Sequence, residues 1–157
     1  DINDIRSELS QQGYIKTQTV SSRRSKSSRT SVPMRFISTD GFVILSGKNN
    51  IQNDELTFRQ ADKNDWWFHV KDYPGSHVII KCDGAVPPDS TFTEAAVIAA
   101  TYSGAKDSKK VSVDYTQVKN VKKPPGAKPG SVIYHMFSTA VVDPSTDLAR
   151  RLNNPKT

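Results

Sequence analysis

The sequence has one cysteine, Cys82, among 157 residues, so no disulfide can form within the chain. Its first residues do not resemble a secretory signal peptide, and no apolar run approaches the ~20 residues that span a bilayer as a helix. These absences exclude a disulfide framework and predict a protein of the reducing cytoplasm with no membrane partner. The chain begins at Asp1 without a Met, which predicts that it is part of a longer protein.

Motifs of nucleotide hydrolysis and nucleophilic catalysis are also missing. The loop 119–130 is rich in lysine and glycine but lacks the GxxxxGK[ST] order of a P-loop, and Ser76 lies in no GxSxG elbow. Ser76 and His77 are adjacent, so a strand would point their side chains to opposite faces, which argues against a triad with Asp65 or Asp72. The sequence therefore predicts that the chain is not an enzyme.

A metal site has weak support. Asp65, His69 and His77 could together bind zinc, but the histidines are eight residues apart, which fits no standard zinc motif. Cys82 has no CxxC partner. Histidines hydrogen-bonded to the backbone are the simpler interpretation, and we expect no metal and no cofactor.

Positive charge is concentrated in two segments. Residues 21–31, SSRRSKSSRTS, carry four cations and no acid, and residues 106–128 carry seven lysines against Asp107 and Asp114. The whole chain has a net charge of +6, so the remainder is net negative. Segregated cations favour a polyanionic partner, although lysine-rich loops also keep small domains soluble, and charge alone does not separate the two explanations.

Composition divides the chain into three parts. Ile2, Ile5 and Leu9 repeat at helical spacing, so residues 2–12 are predicted to form a short helix within a helical end segment, residues 1–16. Residues 17–32 are rich in Ser and Arg, which is typical of a solvated linker. Residues 33–157 have the length of one folded domain, which we expect to be monomeric.

Strands are predicted over residues 35–37, 42–45, 66–70, 77–82, 111–115, 132–137 and 139–142. Apolar residues occupy both faces of the strands at 66–70 and 77–82, which predicts a central hairpin. Its connection, Tyr73–Ser76, predicts a type II turn with Gly75 at positive φ. The predicted fold is α+β, a single domain with a mixed, mainly antiparallel sheet built from hairpins and flanked by two or three short helices.

Three helical segments accompany these strands. Asn53 is predicted to cap a short helix that runs to Ala61. The residues Thr91–Glu94 form a capping-box pattern that opens an alanine-rich helix ending near Gly104. Residues 148–152 are predicted to form a terminal helical turn.

Amides, aromatic rings and imidazoles are concentrated between residues 47 and 80. The Asn-rich turn, GKNNIQNDEL at residues 47–56, can fix a tight loop through Asx turns or read RNA bases and sugars, and both remain open. Four lysines of the loop KNVKKPPGAKPG, residues 119–130, lie on a chain restricted by proline, which favours docking on phosphates. The candidate RNA-binding residues are Lys48, Asn49, Asn50, Gln52, Asn53, Trp67, His69, Ser76, His77, Lys119, Lys122, Lys123 and Lys128.

These segments, in this order, resemble the NFACT-R domain, the RNA-binding module of NFACT proteins, which in bacteria are also called fibronectin-binding-protein-A-like. The matching pieces include GKNN at 47–50, the residues Trp67 and His69, PGSHV at 74–78, DYT at 114–116 and GAKPG at 126–130. The resemblance covers about residues 36–142, and residues 5–15 are similar to the end of the family's coiled-coil region. Lys48, Pro125 and Ser138 depart from the usual pattern, and the missing lysine at 125 weakens one expected phosphate contact.

The resemblance implies a noncatalytic role in ribosome-associated quality control. Relatives bind the large ribosomal subunit after a stalled ribosome has split, recognise the peptidyl-tRNA and recruit charged tRNA, so that the nascent chain gains an untemplated tail, mainly of alanine in bacteria. The implied partners are tRNA and the rRNA of the large subunit, in the cytoplasm. Some Gram-positive relatives have been reported as cell-surface adhesins, so binding of fibronectin or fibrinogen is the alternative.

Overall fold

The computed structural model describes residues 32–155, so the helix predicted over residues 2–12 and the basic linker up to residue 31 lie outside the described residues. In chain order the elements are β1 (Met34–Ile37), β2 (Val43–Ser46), α1 (Asn50–Glu55) with a following π-helical turn (Leu56–Gln60), β3 (Trp66–Val70), β4 (Val78–Lys81), α2 (Asp89–Thr101), β5 (Val111–Gln117), a 3-10 turn (Val118–Asn120), β6 (Val121–Lys122), β7 (Ile133–Tyr134), β8 (Ser138–Val142) and α3 (Thr146–Leu152). The predicted α+β fold is confirmed.

Six strands form one sheet in the order β1-β2-β4-β3-β5-β8, and each neighbouring pair is antiparallel. The hairpin of β3 and β4 lies at its centre, as the apolar residues on both faces predict. The short strands β6 and β7 pair separately. The strand predicted over residues 132–137 is mostly wrong, because it is limited to Ile133–Tyr134 and Met136 has a positive φ of 54° that interrupts the extended backbone.

Each face of the central hairpin packs into its own core. On one face Phe68 and Ile80 pack with α2, whose small alanines allow the helix to lie close to the sheet. On the other face Trp67 and Ile79 pack with Leu56 and with the chain around β6. Side chains alternate along a strand, so the neighbours Trp67 and Phe68 belong to different cores. The Trp67 face is the one that carries the candidate site.

The helix α1 begins earlier than predicted. Asn49, and not Asn53, is its N-cap, with Asn49 Oδ1 accepting a 2.8 Å hydrogen bond from the Gln52 N–H. Asn53 lies inside the helix, and its Oδ1 accepts a 3.1 Å hydrogen bond from the N–H of His77. Asn53 therefore ties α1 to the segment that enters β4.

The capping box predicted at the start of α2 is wrong. The helix begins at Asp89, so Thr91 and Glu94 already lie within it. The Glu94 carboxylate accepts hydrogen bonds from the Thr39 N–H at 2.9 Å and from the Thr39 hydroxyl at 2.6 Å, and Thr91 bonds Ser38 at 3.1 Å. These side chains tie α2 to the β1–β2 turn.

The type II turn predicted between β3 and β4 is also wrong. Asp72, with a φ of 67°, adopts the left-handed conformation in this loop, and Gly75 does not. Gly75 forms a bridge with Ser103, and a Cβ at residue 75 would lie 3.1 Å from the Ser103 Cβ. Glycine is needed here for close approach of two chain segments, not for a turn conformation.

Candidate nucleic-acid interface

One carboxylate holds the loop 123–131 against α1. Asp54 Oδ2 forms an ion pair with Lys123 Nζ at 2.9 Å, and Asp54 Oδ1 accepts a 2.8 Å hydrogen bond from the Gly130 N–H. Lys123 Nζ also donates to the Lys128 carbonyl at 2.8 Å. The side chains of the pair are only 32% and 22% exposed, for Lys123 and Asp54 respectively. Lys123 therefore fixes the shape of the loop, and Asp54 balances its charge.

The imidazole ring of His77 holds the same loop through Gly130. It is buried, with Nδ1 2.8 Å from Thr57 Oγ1 and Nε2 3.2 Å from the Gly130 carbonyl oxygen. A carbonyl oxygen only accepts, so Nε2 carries the proton and the Thr57 hydroxyl donates to Nδ1. Burial, together with the charge of nearby His69, lowers the pKa of His77 to about 4. His77 is thus a neutral bridge between the π-helical turn and the loop.

A groove of about 460 Å³ lies between the π-helical turn, the 3-10 turn and β6. We call it the basic groove, and its lining is Thr57, Phe58, Ala61, Lys63, Val118, Lys119, Val121, Lys122 and Lys123. No acid is among these residues, and Lys63, Lys119 and Lys122 are exposed. The Lys119 N–H donates to the Lys63 carbonyl at 3.1 Å, which fixes the two cationic segments side by side.

Phe58 gives the basic groove an aromatic surface. Its side chain is 38% exposed although it is large and apolar. Lysines can contact phosphates and an exposed ring can stack on a base, and the groove offers both kinds of group. Phe58 and Lys63 were missed from the sequence, since a helical Phe suggests burial and only the fold brings Lys63 beside Lys119.

The Asn-rich turn is largely internal. Gln52 Oε1 accepts a 2.8 Å hydrogen bond from the Lys48 N–H, and both Gln52 and Asn53 are buried. Lys48, Asn49 and Asn50 are exposed, although the Asn49 oxygen already caps α1. Gln52 and Asn53 therefore shape the turn, while Lys48, Asn49 and Asn50 lie at the surface.

The end of the loop lines a second concavity of about 380 Å³, which we call the aromatic cleft. Its lining is Trp67, His69, Val70, Asp72, Tyr73, Pro74, His77, Gly130, Ser131, Val132 and Tyr134. The Trp67 and His69 rings stack with centroids 5.9 Å apart and planes at 6°, and His77 meets both edge-on. Trp67 has no exposed surface, so it supports the cleft from beneath.

The polar groups behind the aromatic cleft are paired. The buried Asp114 carboxylate accepts from the Tyr134 hydroxyl and from the Thr139 hydroxyl, each at 2.7 Å. Burial, with the neighbouring Asp114, raises the pKa of Tyr134. Burial also lowers the pKa of His69, against the opposing charge of Asp114 and backbone hydrogen bonds. Both imidazoles of the cleft are therefore neutral at pH 7.

The structure thus distributes the predicted site residues over three places. Lys119 and Lys122 belong to the basic groove, the half-buried His69 to the aromatic cleft, and the amides to the turn before α1. Lys128 is exposed on the loop and Ser76 is half-buried before β4. Within residues 32–155 no group of three His, Cys, Asp or Glu side chains is placed to hold a metal ion. In the same part of the chain no helix combines the length and apolarity needed to cross a bilayer.

Comparison with known proteins identifies relatives of this chain. A family model described as the NFACT protein RNA binding domain matches residues 33–136. Two proteins named Rqc2 homolog RqcH are similar: the Bacillus subtilis (strain 168) protein is 45% identical over 97% of this chain and 26% of its own length, and the Streptococcus suis (strain 05ZYH33) protein is 46% identical over 94% of this chain and 26% of its own. This chain spans about a quarter of the length of these relatives.

A solved structure shares the fold. It is described as the C-terminal of the fibronectin/fibrinogen-binding protein from Streptococcus suis. It matches with a TM-score of 0.75 at 42% identity, covering 91% of this chain and 52% of that chain.

Proposed function

This chain belongs to the NFACT protein RNA binding domain family, and we propose that it is the RNA-binding module of a ribosome quality control factor. Support comes from the family description and from relatives named Rqc2 homolog RqcH, which are 45% and 46% identical over nearly the whole chain.

The observation that carries the proposal is the basic groove. Lys63, Lys119 and Lys122 present exposed ammonium groups along it, and no lining residue is acidic. Phosphates that displace counterions from these lysines would supply affinity, and the Phe58 ring would supply a stacking face for an unpaired base. A groove with this lining suits single-stranded or looped RNA, because the bases of a continuous duplex are already stacked on each other.

Within the complete protein, the module is proposed to contact tRNA and the rRNA of the large subunit on stalled, split ribosomes in the cytoplasm. It would thereby support untemplated alanine tailing of the nascent chain. The proposed role is noncatalytic, and two features support this. His77 is committed to Thr57 and Gly130. The Cys82 thiol is buried, and burial raises its pKa to about 11, so the thiolate is not available at neutral pH.

Direct binding at several salt concentrations tests the proposal. Fluorescently labelled tRNA and purified large subunits are titrated with the chain, and the affinity is plotted against salt concentration on logarithmic axes. A straight line with a negative slope is expected, since each phosphate contact releases counterions. Failure to bind either RNA at low salt, or an affinity independent of salt, would contradict the proposal.

Binding of fibronectin is the second candidate, favoured by the description of the Streptococcus suis structure as part of a fibronectin/fibrinogen-binding protein. Surface plasmon resonance on immobilised fibronectin, run with tRNA as a competitor, separates the two. Fibronectin binding that tRNA does not affect, in a chain that shows no salt-dependent RNA affinity, would favour adhesion.

A further inference from the structure

The aromatic cleft differs from the basic groove in charge. No lysine or arginine lines the cleft, whereas Asp72 does, and its two histidines are neutral. A phosphate would meet a carboxylate there without a compensating cation, so the cleft is unsuited to the RNA backbone. Its volume of about 380 Å³ lies within the range of sites that hold small ligands. The cleft therefore favours a small ligand that carries no negative charge.

The walls of the cleft offer a stacking face and hydrogen-bonding groups. Tyr73 is 47% exposed and lines the cleft, as do the stacked rings of Trp67 and His69. Ser131 contributes a hydroxyl. The Trp67 Nε1–H is buried and has no hydrogen-bond partner within the described residues, which is unusual for a buried donor.

Asp72 gives the cleft a means of selection. It has a φ of 67°, a conformation that aspartate and asparagine tolerate better than most residues. Asp72 lines the aromatic cleft and is exposed, so its carboxylate is accessible to a ligand there. An ionised carboxylate only accepts hydrogen bonds, so it favours a ligand edge that carries N–H donors.

We infer that the aromatic cleft binds one unstacked nucleobase of the RNA held by the basic groove, with the amino edge of the base directed to Asp72. Guanine is the favoured base, because its adjacent ring and amino N–H groups can donate to both carboxylate oxygens. Uracil has no amino group and is the least favoured. This inference rests on the proposed function, since the base belongs to the RNA.

Free nucleosides test the cleft without any phosphate. Guanosine, adenosine, cytidine and uridine are titrated separately into the ¹⁵N-labelled chain, and amide chemical shifts are followed. We expect saturable shifts centred on Tyr73, Ser131 and the indole N–H of Trp67, with guanosine binding most tightly and uridine most weakly. Shifts that are absent, or that are spread over the surface without saturation, would overturn the inference.

Two variants assign the contacts. Tyr73→Ala removes an exposed ring and should weaken guanosine binding about tenfold, since a lost stacking partner commonly costs this much. Asp72→Asn keeps the left-handed backbone and removes the charge, so the four nucleosides should then bind with similar affinity. A preference for guanosine that survives Asp72→Asn would show that Asp72 does not select the base. Amide spectra of both variants outside the cleft should match the parent chain.

The same titration separates this inference from the proposed function. The double variant Lys119→Ala/Lys122→Ala should lose affinity for tRNA and keep the affinity for guanosine. If tRNA binding depends on these lysines but no nucleoside binds, the cleft inference fails and the RNA-binding proposal stands. If guanosine binds but tRNA does not, the RNA-binding proposal fails and the cleft is a site for free nucleosides only, which also overturns the inference.

Discussion

Asp54 and Lys123 are joined by a 2.9 Å ion pair, and the same carboxylate accepts the Gly130 N–H, so both ends of the loop 123–131 are fastened to α1 at one residue. Lys123 and its neighbour Lys122 therefore have different roles. Lys122 is exposed on the basic groove, while Lys123 is balanced by Asp54.

Separate substitution of these two lysines is the first prediction. Lys122→Ala should keep the melting temperature of the parent chain. The slope of log K for tRNA binding against log salt concentration should become less steep by about 0.7–0.9, because one phosphate contact is lost. Lys123→Ala should lower stability by about 1 kcal/mol, since its partner Asp54 is only partly screened by solvent. Thermal melts and tRNA titrations of both variants check this, and equal melting temperatures with equal salt slopes would refute the division.

The Asn-rich turn gives the second prediction. Asn49→Ala loses the N-cap of α1 and should cost about 1 kcal/mol. Asn53→Ala leaves the buried His77 N–H without its acceptor and should cost about 1–3 kcal/mol. Asn50 is exposed, so Asn50→Ala should melt as the parent chain does and bind tRNA more weakly. Chemical denaturation and tRNA titration of the three variants separate the structural roles of Asn49 and Asn53 from the binding role of Asn50. An Asn50→Ala chain that is unstable but binds normally when folded would contradict this assignment.

Acid sensitivity is the third prediction. The pKa of His77 is about 4 in the folded chain against about 6.5 when unfolded, so below pH 6.5 the unfolded state takes up more protons. The stabilisation from neutral His77 is present above pH 6.5 and is lost as the pH falls through about 4, amounting to roughly 3 kcal/mol. Urea unfolding between pH 4 and pH 8 measures this loss of stability.

Two histidine variants serve as comparison in that experiment. His77→Gln removes the titrating group, so its stability should fall less between pH 6.5 and 4 than that of the parent chain. His135→Gln replaces an exposed histidine and is the control for the substitution itself. If His77→Gln kept the full acid dependence, His77 would not be its source.

Phe58 provides the fourth prediction. Phe58→Ala should weaken binding of single-stranded RNA by about 1–3 kcal/mol through loss of one stacking face. The melting temperature should change little, since the ring is 38% exposed. Val86→Ala is the control, because that apolar side chain is 88% exposed and lines neither the basic groove nor the aromatic cleft. Equal RNA affinity of the two variants would remove Phe58 from the interface.

The sequence predicts the fold better than it predicts the site. The strand at Trp66–Val70 was located because alternation and apolar content are local signals. Thr91 and Glu94 have the spacing of a capping box, yet their partners are Ser38 and Thr39, which lie far away in the sequence. Long-range partners of this kind are set by tertiary packing and leave no periodic pattern.

The same limit applies to the lysines. Lys122 and Lys123 are adjacent and chemically identical, so only the position of Asp54 separates a surface cation from a structural one. Likewise the sequence predicts both Trp67 and His69 as contacts, but the sheet buries Trp67 completely and leaves His69 partly exposed. Residue type indicated the kind of chemistry, and burial determined which side chains can take part.

The most direct test compares two double variants of equal charge in tRNA binding across a salt series. Lys119→Ala/Lys122→Ala removes two exposed lysines of the basic groove, and Lys106→Ala/Lys109→Ala removes two exposed lysines that do not line it. The groove variant should bind more weakly, and its slope of log K against log salt concentration should be less steep by about 1.4–1.8, because two phosphate contacts are lost. The control variant should keep the slope of the parent chain. Equal losses in both variants, or none in the groove variant, would contradict an RNA interface in the basic groove.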